Sequence, residues 1–93
     1  MLIGVPKEIK NNEYRVGMTP SGVRELVSHG HRVMVEADAG MAIGLTDALY
    51  QQAGAEITLS ASDIFANAAM IIKVKEPQAQ EREMLRSGQI LFT

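Results

Sequence analysis

Two basic side chains lie in segments of the sequence where they could bind a small anion. Arg15 belongs to the polar stretch KNNEYRVGMTP, residues 10–20, and Lys75 belongs to IIKVKEPQ, residues 71–78. The fork of an arginine pairs bidentately with a carboxylate. A lysine at the dry end of a strand can polarise a carbonyl group or transfer a proton. Together the two residues suggest a small keto acid or amino acid as the ligand.

A simpler interpretation of these polar residues stays open. An arginine in a loop is commonly a solvated surface charge, and a lysine at a strand end can protect a sheet edge from pairing. His29 and His31 flank Gly30, where we expect contacts with helix-terminal carbonyl groups or solvent. Two histidines and no cysteine supply too few ligands for a zinc site, so no metal is expected. Gly40 and Gly44 predict a turn, because they lack the spacing of a phosphate-binding loop.

The elements that must position Arg15 and Lys75 alternate along the chain. Apolar runs predict five strands, at residues 2–5, 32–36, 56–59, 70–74 and 89–92. Helices are predicted to begin at Thr19-Pro20, at Thr46-Asp47 and at Ser60 or Ser62, with a short fourth helix at 80–86. This alternation predicts an α/β fold with a parallel sheet, right-handed crossovers and helices on both faces, Rossmann- or flavodoxin-like.

Ligands of open parallel sheets bind at the carboxyl ends of the strands. Three predicted segments lie at those ends, namely residues 6–18, 37–45 and 75–77. The first carries Arg15 and the third carries Lys75, so the two side chains are expected near the same edge of the sheet.

The composition places the chain among ordinary globular proteins and excludes several functions. With 93 residues it forms at most one domain, and 46% hydrophobic and 22% charged residues are typical of a folded protein. A net charge of −2 without a basic block argues against nucleic-acid binding. No apolar run is long enough for a signal peptide or a membrane span, so we expect a cytoplasmic protein without membrane contact.

A long motif near the start of the sequence resembles a known family. The run is GVPKEIKNNEYRVGMTPSGVRELVSHG, residues 4–30, and EADAG, TDALYQQAGAEI and IIKVKEPQ follow it later in the chain. These segments resemble the N-terminal part of the alanine dehydrogenase and pyridine nucleotide transhydrogenase family. The stretch KVKEP makes the alanine dehydrogenases the closer likeness. Ser28 departs from the family pattern, at an outer helical position.

The resemblance implies a concrete activity and role for each residue. The family's alanine dehydrogenases interconvert L-alanine, NAD and water with pyruvate, ammonia and NADH, commonly as homo-oligomers. The arginine matching Arg15 binds the substrate carboxylate there, and the lysine matching Lys75 is catalytic and engages the carbonyl or imine side. No residue of this chain is expected to bind NAD, because the family's NAD-binding domain, catalytic histidine and catalytic aspartate come later in the sequence.

Residues 1–93 are therefore predicted to be the incomplete N-terminal part of a substrate-binding domain. Without the glycine-rich turn that positions a nicotinamide cofactor, the chain is expected to be inactive alone. It stops directly after a predicted strand, residues 89–92, so we expect it to self-associate through that exposed edge. Two alternatives remain. One is the N-terminal part of a nicotinamide nucleotide transhydrogenase alpha subunit, and the other is a free-standing binding module without catalysis.

Overall fold

A computed structural model describes residues 1–93. Strands and α-helices alternate along the chain, with one additional 3-10 turn. The strands are β1 (Leu2–Val5), β2 (Arg32–Glu36), β3 (Glu56–Thr58), β4 (Met70–Ile72) and β5 (Ile90–Phe92). The helices are α1 (Pro20–Ser28), α2 (Asp47–Gln52), α3 (Ala61–Asn67) and α4 (Ala79–Arg82), and the 3-10 turn is Met41–Ile43. None of the helices has the length and apolar character needed to cross a membrane.

The five strands form one parallel sheet in the order β3-β2-β1-β4-β5. The central strand β1 pairs with β2 on one side and with β4 on the other, so that Ile3 lies opposite both Val33 and Met70. The chain first builds the sheet outwards through β2 and β3, and then returns past β1 to place β4 and β5. The predicted α/β fold with a parallel sheet is confirmed.

The two faces of the sheet are covered by different helices, as the sequence predicts. One face packs α1 and α2 against a larger cluster that includes Ile3, Val5, Val33, Val35 and Tyr50. The other face packs α3 against a smaller cluster formed by Ile64, Phe65, Ala68 and Ile71. Successive strand residues point to opposite faces, which explains why the central strands β1 and β4 are apolar along their whole length.

The predicted helix starts are confirmed at two positions. The Thr19 side chain accepts a hydrogen bond from the Gly22 N–H at 3.2 Å, and the Thr46 side chain accepts one from the Leu49 N–H at 3.3 Å. Ser60 precedes α3, but its hydroxyl pairs with that of Ser62 at 2.6 Å and caps no backbone amide. Ser60 therefore lies at the predicted N-cap position of α3, but its side chain makes no capping hydrogen bond.

Strand β4 ends earlier than the sequence predicts. The apolar run suggested a strand over residues 70–74, whereas pairing stops at Ile72. The reason is a competing acceptor, because the backbone amides of Val74 and Lys75 donate to the carboxylate of Glu8. The chain consequently turns away from the sheet at the point where Lys75 begins.

The fourth helix differs from the prediction as well. It was expected over residues 80–86 and is observed over Ala79–Arg82, with turns following it. After Arg82 the amides of Met84 and Leu85 bond three residues back, which tightens the chain and ends the helix. The Arg86 side chain then reaches the carbonyl oxygens of Phe65 and Ala68 at the end of α3, at 3.0 and 2.9 Å.

Candidate functional site

The order of the strands creates a crevice between β1 and β4. The connections from β1 and from β4 leave the sheet at its carboxyl edge and diverge to opposite sides. In open α/β sheets this topological switch point is where ligands bind. The segment after β1 carries Arg15, and the segment after β4 carries Lys75.

The loop after β1 folds back on itself so that Glu13 holds Arg15. Asn12 adopts a left-handed backbone conformation with φ 65°, in a turn closed by a hydrogen bond from the Glu13 N–H to the Lys10 carbonyl at 3.0 Å. The Glu13 carboxylate then accepts hydrogen bonds from Arg15 Nε at 3.0 Å and from Arg15 Nη2 at 2.8 Å. It also accepts the Arg15 backbone N–H at 2.8 Å.

Lys75 approaches the same carboxylate from the other side of the crevice. Its Nζ lies 3.9 Å from Glu13 Oε1, the oxygen that also accepts from Arg15 Nη2. The Glu13 side chain is 5% exposed, whereas the side chains of Arg15 and Lys75 are 65% and 41% exposed. The structure thus brings together the two residues that the sequence singled out, around a third that it did not.

The electrostatics of this group keep Glu13 ionised. Hydrogen bonds from the Arg15 side chain and backbone lower the pKa of the Glu13 carboxyl from 4.5 to about 2, with the charge of Lys75 adding a smaller effect. Partial desolvation of the carboxylate acts in the opposite direction but is outweighed by the hydrogen bonds. The same pair raises the pKa of Arg15. Glu13 is therefore a permanent anion in this site at physiological pH.

A cavity of about 490 Å³ opens beside these residues. Its lining is almost entirely polar and contains three basic side chains and one acidic side chain: Lys10, Asn11, Asn12, Glu13, Tyr14, Arg15 and Lys75. Lys10 is paired with Glu76, through Nζ and Oε2 at 3.2 Å. An adjoining cavity of about 380 Å³ shares Glu13, Tyr14 and Arg15 and is partly lined by apolar residues. The first cavity carries excess positive charge, which suits a small anion.

Two packing contacts fix the loop that carries Arg15. A Cβ added to Gly17 would lie 2.7 Å from the carbonyl oxygen of Ile72, so only glycine lets the loop approach the end of β4 this closely. The Tyr50 hydroxyl donates a hydrogen bond to the Met18 carbonyl at 2.7 Å, and burial raises the pKa of that hydroxyl to about 12. The end of the loop is thus attached to both β4 and α2.

A buried ionic cluster lies below the crevice, and its ion pairs were not predicted from the sequence. Lys73 Nζ is 2.9 Å from Glu8 Oε1 and 3.1 Å from Glu81 Oε2, and all three side chains are at most 3% exposed. The sequence placed Lys73 inside the predicted strand 70–74, but its alternation does not show that a lysine there is buried or which distant carboxylates pair with it. The turn residue Asn12, in contrast, was a usable hint that Glu13 faces back towards Arg15.

The decisive observation on family membership is a match that covers almost the whole chain. Residues 4–93 match the family described as alanine dehydrogenase/PNT, N-terminal domain. The chain belongs to this family. The resemblance seen in the sequence is therefore confirmed.

Over its full length, the chain is similar to part of several alanine dehydrogenases. The chain is 57% identical to the enzyme of Methanococcus maripaludis, 54% to that of Halomonas elongata and 52% to that of Bacillus subtilis, each over 93 residues. These matches cover 100% of the chain and 24–25% of each relative. The chain thus spans about a quarter of the length of these relatives and corresponds to their N-terminal quarter.

Solved structures of two family members share the fold. A structure of L-alanine dehydrogenase superposes with a TM-score of 0.94 at 49% identity, covering 98% of this chain and 25% of the other. A transhydrogenase from Sinorhizobium meliloti superposes with a TM-score of 0.90 at 37% identity, covering 98% of this chain and 27% of the other.

The residues of this family domain do not fit the pyrophosphate of NAD. Such a site needs a glycine-rich turn directly after a strand and free amides at the start of the next helix. Here a long polar loop without a glycine-rich turn follows β1, and the side chains of Thr19 and Thr46 each accept one of the amides at the starts of α1 and α2. No step involving the cofactor can therefore be derived from this chain.

Proposed function

We propose that this chain supplies the carboxylate-binding and carbonyl-binding part of the substrate site of an NAD-dependent L-alanine dehydrogenase. That enzyme interconverts L-alanine, NAD and water with pyruvate, ammonia and NADH. One observation carries the proposal. Arg15 and Lys75 approach the same carboxylate oxygen, Glu13 Oε1, from the two sides of the switch point of the sheet.

The Glu13 carboxylate shows what kind of ligand suits this place. It is a planar anion bound through a bidentate guanidinium pair with an ammonium group nearby, which is the chemistry that would recognise the carboxylate of alanine or pyruvate. Glu13 balances one positive charge of the Arg15 and Lys75 pair, so one is left for a ligand. A monoanion such as pyruvate matches that remaining charge.

Arg15 has donors left for the substrate after it pairs with Glu13. Its Nε and Nη2 groups bind Glu13, whereas Nη1 makes no hydrogen bond within the chain. The exposed edge of the guanidinium lines both cavities. Because its other edge is fixed, this arginine would bind a carboxylate with little further loss of side-chain freedom.

Lys75 is suited to the carbonyl side of the substrate. Its ammonium group lies 3.9 Å from Glu13 Oε1, beyond a normal hydrogen bond, and so remains available to an incoming oxygen. When ammonia adds to the carbonyl carbon of pyruvate, the carbonyl oxygen gains negative charge. The Lys75 ammonium would stabilise that charge and could transfer a proton to the oxygen.

The remaining parts of the proposal concern the longer protein. We infer that NAD binds to a domain outside these residues, and that the protein acts in amino-acid breakdown as a cytoplasmic homo-oligomer. The transhydrogenase alternative is less well supported, because the alanine dehydrogenase structure has higher identity, 49% against 37%. A free-standing module is the remaining alternative. The size of the native protein on a denaturing gel separates it from the others, since this chain has a mass of only 10.1 kDa.

Replacing Arg15 in the full-length enzyme tests the proposed carboxylate contact. We expect Arg15→Ala to raise the KM for alanine and for pyruvate about ten- to a hundredfold, the value of a charge-assisted contact of about 1.5–3 kcal/mol. The KM for NAD should change far less. Arg15→Lys should also be impaired, because an ammonium group lacks the planar fork. Equal effects on the KM of alanine and of NAD would contradict the carboxylate role.

A further inference from the structure

Glu8 is almost completely enclosed where the chain leaves β1, and both of its oxygens are used. Oε1 accepts hydrogen bonds from Lys73 Nζ at 2.9 Å and from the Lys75 backbone N–H at 3.2 Å. Oε2 accepts one from the Val74 backbone N–H at 3.0 Å. A single carboxylate therefore binds three consecutive residues at the end of β4.

This clamp determines where the Lys75 side chain goes. The Lys73 N–H still donates to the Phe92 carbonyl at 2.9 Å, in register with β5, but the next two amides leave the sheet and turn to Glu8. In a continuing strand Lys73 and Lys75 would point to the same face. Instead the Lys73 side chain is 1% exposed in the interior, and the Lys75 side chain is 41% exposed and lines the cavity.

The second carboxylate of the cluster acts differently. Glu81 binds Lys73 Nζ through Oε2 at 3.1 Å, and its Oε1 accepts the Gln78 N–H at 2.9 Å at the start of α4. It makes no hydrogen bond to Val74 or Lys75. Glu8 and Glu81 thus share the same ammonium partner and nearly the same burial, but only Glu8 touches the backbone of Lys75.

We propose that Glu8 is a positioning residue for Lys75, which it aims into the substrate cavity by binding the backbone amides of Val74 and Lys75. The inference rests on the proposed function, because it assumes that the Lys75 ammonium acts on the substrate. Lys73 supports this arrangement, since its ammonium group, which Glu8 shares with Glu81, offsets part of the buried negative charge.

The experiment compares Glu8→Gln with Glu81→Gln in the full-length enzyme, each alone and combined with Lys75→Ala. The readouts are kcat for the reduction of pyruvate with ammonia and NADH, and the free energy of unfolding in denaturant. Both single variants should lose stability to a similar extent. Glu8→Gln should lower kcat about tenfold more than Glu81→Gln, because small displacements of a catalytic group are costly. In the Lys75→Ala background Glu8→Gln should have little further effect on kcat.

Several outcomes would overturn the positioning role. Equal kcat losses in Glu8→Gln and Glu81→Gln would show that the cluster matters only for stability. A Glu8→Gln effect that adds fully to that of Lys75→Ala would show that Glu8 does not act through Lys75. Normal kcat in Lys75→Ala alone would instead refute the proposed function itself, and with it this inference.

A second variant keeps the test available if Glu8→Gln fails to fold. Glu8→Asp retains the charge beside Lys73 but withdraws the carboxylate from the two amides by one methylene group. We expect the NMR amide-proton shifts of Val74 and Lys75 to move upfield in Glu8→Asp and to stay unchanged in Glu81→Asp. Unchanged shifts in both variants would contradict the clamp.

Discussion

The conformation of Arg15 depends on its neighbour Glu13 two positions before it. The carboxylate binds one edge of the guanidinium and also the backbone N–H of the same arginine, so side chain and main chain are fixed together. An exposed arginine would otherwise lose considerable rotamer entropy on binding a ligand. In the proposed function, this arrangement would hold the free edge of Arg15 ready for a substrate carboxylate.

A first prediction concerns the pKa of the Glu13 carboxyl group. Its pKa is lowered from 4.5 to about 2, so its pair with Arg15 contributes stability above pH 4.5 that is lost as the pH falls through about 2. Arg15→Ala should raise the pKa of Glu13 part of the way back towards 4.5, because the side-chain hydrogen bond from Arg15 is the largest cause of the shift, whereas the backbone N–H of residue 15 remains. NMR of the Glu13 side-chain carboxyl carbon measures this directly.

Lys75→Met provides the matched control for that titration. The charge of Lys75 is the smallest of the contributions to the Glu13 shift, so its removal should move the pKa much less than Arg15→Ala does. A Glu13 midpoint that stays near 2 in Arg15→Ala would show that the lowered pKa has another origin.

A second prediction separates the two proposed roles of Lys75, proton transfer and charge stabilisation, in the full-length protein. Lys75→Ala should lower kcat about a hundredfold or more, the usual contribution of a positioned proton donor, and should also weaken substrate binding. Lys75→Arg keeps the positive charge but cannot release a proton at working pH. If the pyruvate-reducing kcat of Lys75→Arg stays near normal, proton transfer by Lys75 is excluded and only charge stabilisation remains.

Among the elements, the contact between the Arg15 loop and the end of β4 decides the shape of the crevice. Gly17 is required there for space and not for conformation, because its φ is not in the left-handed region and the carbonyl oxygen of Ile72 lies where a Cβ would be. The loop that carries Arg15 and the strand that leads to Lys75 therefore touch backbone to backbone. A methyl group at this point would push the loop that carries Arg15 away from the end of β4.

Gly17→Ala tests this contact between the Arg15 loop and the end of β4. Because overpacking typically costs about 1–3 kcal/mol, we expect lower stability together with a raised KM for alanine and pyruvate. Gly88→Ala is the control. Gly88 has φ 83° and open space around it, so alanine there should cost about 1–2 kcal/mol of backbone strain without changing KM. A normal KM in Gly17→Ala at reduced stability would show that the loop adjusts without moving Arg15.

For the molecule as a whole, the fold offers a polar cavity at the carboxyl edge of the sheet but no glycine-rich phosphate-binding turn. We expect the purified 93-residue chain to be inactive and not to bind NADH, because positioning the cofactor requires a phosphate-binding turn that these residues lack. Titration with NADH, followed by nicotinamide fluorescence, measures the binding. Saturable binding at micromolar NADH would place the cofactor site within these residues and overturn the assignment of NAD to another domain.

The sheet also has an unprotected side in these residues. Strand β5 lies at its edge, and Ile90, Leu91 and Phe92 are all exposed. Edge strands with apolar side chains are prone to pair with other chains. Self-association of the isolated chain therefore stays a prediction.

The sequence alone was enough to predict the order of the elements, the parallel α/β class and the starts of α1 and α2. These features follow from local chemistry, since apolar runs, Thr caps and glycine closures act within a few residues of one another. It also singled out Arg15 and Lys75, through their positions after strands and through the family motif. The sequence did not predict the ends of β4 and α4, because the distant carboxylate of Glu8 ends β4 and a tightening of the chain after Arg82 ends α4.

Which charged residues are buried and which line the cavity depends on long-range contacts of the folded chain. Lys73 and Lys75 are the same residue type two positions apart, and no local pattern shows that the first is buried in an ionic cluster. The burial of their side chains differs because Glu8, some 65 residues earlier in the chain, binds the Lys73 ammonium group and the Lys75 backbone amide. Long-range hydrogen bonds of this kind depend on which strands become neighbours. The pairing of β1 with β4 therefore buries one lysine in the interior and directs the other to the cavity.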